Sequence, residues 1–440
     1  MNERDSEAVA AQLVAKGYTL APSELSADVV LLNTCSVRDT AEQKAIGKMS
    51  HIAGQLRKLE KKPVLGFMGC MAQSRGQELI ERLPDVDLVI GTQKFHRTAD
   101  HLDALLEGSR KSICDVEEEA GSEGTIREHL LDGKSSSKAV TAFVSIMQGC
   151  NQFCTFCIVP HTRGRERSRS ISDIVNECRQ LADKGVREVT LLGQIVTSYG
   201  KREIGTREGK SAFVQLIEAV HEIDGIQRIR FTSPHPKGYG DDLVEAYERL
   251  PKLVESAHIP VQSGSNSMLK RMHRGYTRER FLEIIAKLRQ VKPNMGISTD
   301  IIVGFPGETE DEFQETMTLA EEVAFQNAFV FKYSPRRDTP ATEMPDQIPQ
   351  EIIEERHARL LNRINEISTA KYQTYLDKTV RILVEGPSHK NPERLEGRTP
   401  CNKIVVFEGH ERHIGEIMDL KIHRVGSYTL YGDPAIVNLN

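Results

Sequence analysis

The sequence predicts an α/β protein in three parts: a small α/β domain with a parallel sheet, a partial (β/α)6 barrel of the TIM type, and a small OB-like β-barrel. Three observations predict it. A short apolar run followed by a loop and a helix occurs three times in the first hundred residues. The same alternation returns six times between residues 139 and 336. After about residue 369, helical periodicity gives way to short alternating strands divided by Gly and Pro.

A chain of 440 residues has room for several buried cores. The opening residues, Met1-Asn2-Glu3-Arg4-Asp5, are polar and acidic, unlike a secretory signal. No apolar run approaches the roughly 20 residues that a membrane helix needs, so no membrane association is expected. Eight cysteines in such a chain point to reduced thiols, metal ligands or catalysis rather than disulfides, and hence to the cytoplasm. A net charge of −5 is not the footprint of a general nucleic-acid binder, but local patches decide binding, not the sum.

In chain order, residues 6–16 read as a helix ending at Gly17. Val29-Val30-Leu31-Leu32 reads as a buried strand that runs into Asn33-Thr34-Cys35, with a helix from about Thr40. Val64-Leu65-Gly66-Phe67-Met68 reads as a second strand, running into Gly69-Cys70-Met71, and Leu88-Val89-Ile90 as a third. Ligands of parallel sheets gather at the carboxyl ends of strands. Cys35 and Cys70 both fall there, which suggests a metal site more than two unrelated thiols. Residues 108–138 turn acidic, then small and polar, and read as a linker with at most one irregular strand. Cys114 lies there and is not read as a ligand.

The barrel strands are read at Phe143–Met147, Glu188–Leu192, Arg228–Phe231, Ala257–Val261, Ser298–Val303 and Ala328–Phe331. Chemistry in such a barrel belongs on the loops after the strands. Residues 350–376 read as a long helix striped by Ile353, Leu360, Ile364 and Ile367. Strands at Val380–Val384, Lys403–Phe407, His413–Met418 and Ser427–Leu430 complete the pattern. That last segment carries ten Lys/Arg against nine Asp/Glu. Its form suits either nucleic-acid binding or a stabilising role.

The most informative stretch is Gly149-Cys150-Asn151-Gln152-Phe153-Cys154-Thr155-Phe156-Cys157. Three thiolates at C-x3-C-x2-C can hold three irons of one [4Fe–4S] cluster and leave the fourth iron open. The next cysteine, Cys178, falls inside a helical pattern. A zinc knuckle using His161, or three unrelated buried thiols, are the plainer alternatives. Phe153 and Phe156 suit a centre shielded from water. Arg163, Arg165, Arg167 and Arg169 follow. Alternation would set them on one face of an extended segment, a patch for phosphates, unless they pair with helix carboxylates instead.

Together these motifs resemble the radical-SAM methylthiotransferases, and among them those acting on prenylated adenosine in tRNA. The matching stretches are Met1-Asn2…Asp5-Ser6-Glu7, Asn33-Thr34-Cys35-Ser36-Val37-Arg38, Gly69-Cys70-Met71-Ala72-Gln73, Gly149 through Arg169, Pro260-Val261-Gln262-Ser263-Gly264-Ser265, Gly304-Phe305-Pro306-Gly307-Glu308-Thr309 and Gly397-Arg398-Thr399. The resemblance covers nearly the whole chain. It implies a methylthiotransferase domain at 1–110, a linker at 111–135, a radical-SAM core at 136–366 and a TRAM domain at 369–437.

It further implies two [4Fe–4S] clusters and S-adenosylmethionine (SAM). Cys150, Cys154 and Cys157 would hold the SAM-binding cluster and carry the catalysis. Cys35 and Cys70 match two of three ligands of an auxiliary cluster; the third belongs just before the Met-Asn motif, where this sequence starts. Gly193, Gln194, Asp300 and Glu308 would contact SAM, although Asp300 and Glu308 could equally cap the next helix. Close relatives carry asparagines where Ile195 and Thr197 stand, which removes polar contacts from that loop. Arg163, Arg165, Arg167 and Arg169 would bind RNA. The expected reaction is methylthiolation of carbon 2 of N6-dimethylallyladenosine beside the anticodon, using two SAM and a sulfur of the auxiliary cluster. The expected partners are a tRNA anticodon loop, a reductant such as flavodoxin or ferredoxin and a sulfur-supplying protein, with the chain acting as a monomer. The alternatives are threonylcarbamoyl-adenosine in tRNA, a ribosomal-protein aspartate, or a non-catalytic RNA binder with structural zinc.

Overall fold

The computed structural model describes residues 1–36, 39–57, 62–117 and 139–434. The chain forms two compact units. The first is the N-terminal domain joined by Gln148–Arg167 and Ser334–Thr342; the second holds the remainder, including the C-terminal barrel.

In the first unit, strands β1 (Val29–Asn33), β2 (Val64–Met68), β3 (Leu88–Ile90) and β4 (Ile113–Asp115) form one parallel sheet in that order. Helix α1 (Asn2–Ala15) begins earlier than its apolar pattern, because Arg4 and Asp5 are themselves buried. Beyond its end, Gly17 adopts φ +95°, the left-handed stop that glycine allows. Strands β2 and β3 are buried throughout, as expected where helices cover both faces. Alternate residues of β2 serve different cores. Leu65 and Phe67 pack with Met49, Ile52 and Met71. Val64 and Met68 pack with Val9, Leu88, Phe95 and Leu102. Helices α2 (Asp39–Leu56), α3 (Cys70–Arg75), α4 (Glu78–Arg82) and α5 (Thr98–Leu106) complete the domain. The one irregular strand allowed for in the linker is β4, and it joins the sheet; Val37, Arg38 and residues 118–138 lie outside the described residues. Cys114, on β4, packs against the first core.

In the second unit, β5 (Thr141–Ser145), β6 (Glu188–Leu192) and β7 (Arg228–Phe231) form one parallel set. A second set comprises β8 (Ser256–His258), β9 (Gly296–Val303) and β10 (Asn327–Lys332). An isolated bridge between Ile229 and Leu253 links the two sets, giving the six-stranded partial barrel. Helices α7 (Ile171–Asp183), α8 (Ala212–His221), α9 (Asp241–Arg249), α11 (Arg278–Val291) and α12 (Glu310–Val323) alternate with the strands, and the short α10 (Asn266–Arg271) lies between β8 and α11. The stripe on α13 (Gln350–Gln373) buries Ile353, Leu360 and Ile364.

The C-terminal barrel closes through five strands: β11 (Thr379–Pro387), β12 (Leu395–Arg398), β13 (Ile404–Phe407), β14 (Ile417–Val425) and β15 (Thr429–Pro434). Sequence reading missed β12, whose Leu-Glu-Gly-Arg lacks β-branched residues. Its Gly397 is required by close approach, since a Cβ there would stand 2.3 Å from the Leu383 carbonyl oxygen. The barrel docks on the start of the larger barrel. Arg228 donates to the Arg398 carbonyl at 2.6 Å, and Gln326 to that of Cys401 at 2.8 Å. Behind this contact Glu188 takes a forked pair of hydrogen bonds from Arg230, at 2.8 and 3.4 Å.

Candidate active site and cysteine loops

The register of β1 and β2 pairs Asn33 with Met68, and each strand reaches a cysteine two residues later. Backbone bonds carry the pairing onward: Thr34 donates to Met68, and Met71 donates to Thr34. Cys35 and Cys70 therefore stand side by side at the carboxyl end of the sheet. Cys70 is buried and opens α3; Cys35 is half-buried.

The sulfur of Cys70 has an unexpected neighbour. Arg163 Nε donates to Cys70 Sγ at 3.1 Å, and Nη2 donates to Asn2 Oδ1 at 2.9 Å. Nη2 also lies 2.6 Å from the Asp5 carboxylate. Burial by itself would lower the pKa of this guanidinium, but Asp5 and Cys70 outweigh it and hold the charge in place. Asn2 and Asp5 belong to the N-terminal motif, yet nothing in their local sequence marks them as partners of a residue so far along the chain.

The loop Cys150–Cys157 lies in the same unit. Its entry is fixed by Gly149 at φ +78° and by the Cys150 N–H, which donates to the Gly164 carbonyl at 3.1 Å. Glu166 accepts from the backbone and side-chain amides of Asn151, both at 3.3 Å. The Ala341 N–H donates to the Thr155 carbonyl. Cys150 and Cys154 are buried, Cys157 half-buried. Burial pushes the Cys150 thiol up to about 12, the Gln152 N–H opposes this, and the neighbouring Cys157 and Cys154 add to it. Three cysteines spaced along one short loop can each take a different iron of an iron–sulfur cluster. The loop thus fits the group. Among the described residues no three His, Cys, Asp or Glu side chains converge as a single metal ion would need. Cluster ligands, each on a different iron, need no such convergence. Phe153 differs from expectation: it is 56% exposed, with a left-handed backbone at φ +48°, so it does not shield the loop. Cys178 is fully buried within α7.

The four arginines do not share a face. Arg163 ends the short helix α6 (Val159–Arg163), and Gly164 at φ +71° reverses the chain after it. Arg163 and Arg169 are buried, and both are committed to internal partners. Arg169 pairs with Glu177 at 2.6 Å and donates to the Ser145 carbonyl at 2.8 Å. Arg165 is exposed and Arg167 half-buried. The structure thus corrects the expectation of an alternating basic strip: helical backbone at one end and an available carboxylate at the other consume two of its members.

The barrel residues separate likewise. Gly193 follows β6 where a Cβ would meet Met147 at 2.6 Å. Next to it, Gln194 has a buried side-chain carbonyl oxygen with no hydrogen-bond partner among the described residues, an acceptor suited to an ammonium or hydroxyl. Ile195 is buried and serves packing, whereas Thr197 keeps a polar contact, its Oγ1 accepting from the His235 N–H at 3.0 Å. Asp300 stays open on β9, 3.5 Å from His258 Nε2, and His258 bonds Ser298 at 3.0 Å. Glu308 is closed: it accepts from the Gly304 N–H at 2.8 Å and from Arg356 at 3.0 Å. Its carboxylate braces the turn after β9 through Oε2.

Three family models match the chain: the radical SAM superfamily over residues 144–320, the TRAM domain over 373–435, and uncharacterized protein family UPF0004 over 1–91. A protein of Opitutus terrae named tRNA-2-methylthio-N(6)-dimethylallyladenosine synthase is 52% identical, with 98% of this chain and 95% of that protein covered. Proteins of the same name from Akkermansia muciniphila and Clostridium botulinum are 50% and 42% identical, covering 99% and 98% of this chain and 96% and 94% of theirs. The chain belongs to the tRNA-2-methylthio-N(6)-dimethylallyladenosine synthase family. As a radical SAM protein it uses SAM and a [4Fe–4S] cluster. Among solved structures, the radical SAM methyltransferase TsrM of Kitasatospora setae, determined with tryptophan and a SAM analogue bound, aligns with a TM-score of 0.58 at 12% identity. That match covers 78% of this chain and 72% of TsrM, and the likeness extends to the fold alone. OxsB, a cobalamin-dependent radical enzyme, aligns at 0.54, with 15% identity, 82% of this chain and 53% of that one. Among the described residues no helix is long and apolar enough to cross a membrane.

Proposed function

We propose that this chain methylthiolates carbon 2 of N6-dimethylallyladenosine beside the anticodon of a tRNA. The observation that carries the reading is the family identity across nearly the whole chain, joined to three cysteines, two of them buried, on one short loop. Cys150, Cys154 and Cys157 would hold the SAM-binding cluster. Cys35 and Cys70 would give two thiolates to an auxiliary cluster at the end of the N-terminal sheet. When bound, these centres and SAM supply one-electron chemistry that removes a ring hydrogen and delivers sulfur in its place.

The protein's own share is orientation and exclusion of water. The Gln194 carbonyl oxygen and the Asp300 carboxylate accept from the ammonium and ribose hydroxyls of SAM. His258, bonded on one side to Ser298, steadies Asp300 on the other. Gly193 lets the chain pass close under Met147, bringing Gln194 to the strand end. Arg165, which is exposed, is placed to meet phosphates, and the TRAM barrel adds a surface less acidic than the rest of the chain. A splayed anticodon-loop base is the form of RNA such a site can admit. A low-potential electron carrier such as flavodoxin or ferredoxin, and a sulfur-supplying protein, complete the cycle in the cytoplasm.

The test is anaerobic incubation of the reconstituted chain with SAM, a reductant and tRNA carrying dimethylallyladenosine, followed by mass spectrometry of the nucleosides. A gain of one methylthio group on that nucleoside is expected. Reaction only with threonylcarbamoyl-adenosine tRNA, or none with tRNA at all, would overturn the reading.

A further inference from the structure

Arg163 lies six residues after Cys157, at the end of the helix that leaves the SAM-cluster loop, yet its side chain serves the other cysteine set. It is 3% exposed. Its five N–H bonds, one on Nε and two each on Nη1 and Nη2, lie in a fixed planar fork, a geometry that lysine cannot copy. Nε reaches Cys70 Sγ, and Nη2 reaches Asn2 and Asp5. Nη1 is buried and has no acceptor among the described residues. A buried guanidinium with an unmet donor is costly unless an anion completes its shell. Asp5 balances the charge, but it leaves both the Cys70 contact and Nη1 unexplained. A neutral thiol is a weak acceptor, whereas a metal-bound thiolate or a sulfide is a strong one.

We propose that Arg163 is a positioning residue of the auxiliary centre, donating to the Cys70 thiolate and, through Nη1, to a sulfur anion beside it. This rests on the auxiliary-cluster reading of Cys35 and Cys70. Arg163 is then withdrawn from the RNA interface. Hydrogen bonds to cluster sulfurs withdraw electron density and raise the reduction potential, so Arg163 makes the auxiliary centre easier to reduce. Because α6 begins directly after the SAM-cluster cysteines, the same arginine also ties that loop to Cys70.

The experiment uses the full chain with Cys150, Cys154 and Cys157 replaced by alanine, so that only auxiliary iron remains. Arg163→Gln and Arg163→Lys are made in that background. Iron and sulfide content, potentiometry followed by electron paramagnetic resonance, and tRNA affinity against salt are then measured. Arg163→Gln should lose a large part of the iron, and what remains should reduce at a more negative potential. Arg163→Lys keeps the charge beside Asp5, so it guards against simple misfolding; it should melt like the parent but still show the negative shift. tRNA affinity and its salt slope should not move. Unchanged iron and potential in both variants, with weaker tRNA binding and a salt slope reduced by about one, would mean that Arg163 is a phosphate contact after all. No iron in the Arg163-intact triple-alanine chain would overturn the auxiliary-cluster reading itself, and this inference with it.

Discussion

Replacing Gly149 by alanine should abolish assembly of the SAM-binding cluster. A Cβ at this position would lie 1.9 Å from the Arg165 carbonyl oxygen, 2.4 Å from its carbon and 2.6 Å from the Gly164 oxygen. Ordinary contact begins at 3.4 Å, so backbone must retreat by about 1.5 Å (3.4 less 1.9). All the atoms in the way are main chain, and no side chain can swing aside. Alanine at φ +78° adds about 1–2 kcal/mol of conformational strain. The displacement also breaks the 3.1 Å bond from the Cys150 N–H to Gly164, worth about 1 kcal/mol. The total, on the order of 3 kcal/mol before any loop shift, falls on the residue next to a ligand. Gly164→Ala is the control. It has a similar φ of +71°, but its Cβ meets only the movable Gln93 side chain, at 2.7 Å. Gly164→Ala should melt slightly lower and keep its iron. Iron and sulfide after anaerobic reconstitution, beside thermal melts, give the answer. Parent-level iron in Gly149→Ala would refute the steric argument.

Other outcomes follow from the second unit. Glu188→Ala strands Arg228 and Arg230 beneath the C-terminal barrel, and should cost about 3–5 kcal/mol, read as a lower denaturant midpoint. Asp300→Ala and Gln194→Ala should each weaken SAM binding by about 10-fold or more, measured by equilibrium binding to reconstituted protein. Glu308→Gln should lower the melting temperature and leave SAM affinity near the parent value, because among the described residues its carboxylate bonds Gly304 and Arg356. His235 is held at about 3 by burial, with Arg274 and Lys237 adding to it. A folded pKa below the unfolded value of about 6.5 means that the unfolded chain takes up the proton first. Stability is therefore complete above about pH 6.5 and falls on acidification, by roughly 1 kcal/mol per pH unit. His235→Gln should flatten the melting temperature between pH 7 and 5; an unchanged slope would place the dependence elsewhere.

The fold was largely legible because strand ends announce themselves. The apolar runs before Cys35, Cys70 and Gln194 each end in residues that break the pattern, and the structure places a strand terminus at every one. What could not be read was the destination of charged side chains. Arg163 and Asp5 are separated in sequence by nearly the whole N-terminal domain and the linker, and only tertiary packing makes them partners. Glu308 looked available because carboxylates after barrel strands often meet ligands, but Arg356 arrives from α13 to occupy it. Alternation failed for the arginine run because it presumes one backbone conformation, whereas a helix and a left-handed glycine intervene. The departures at Ile195 and Thr197 pointed to lost polar contacts; Ile195 is buried as packing, but Thr197 still accepts a hydrogen bond from the His235 backbone.

The cysteine loop at 148–167 belongs to the N-terminal unit although it interrupts the barrel sequence, and 334–342 does the same. The chain thus passes from one unit to the other five times, after residues 136, 147, 167, 333 and 342. Beads on a string would need one passage. A protease nick after residue 147, 167 or 333 would give two fragments each carrying portions of both units, and the internal packing of each unit would keep the fragments together. For the same reason a gene segment encoding residues 139 onward would yield a barrel whose Cys150–Cys157 loop had lost the surface it packs on. The two kinds of cysteine site can be exchanged between proteins only as a pair.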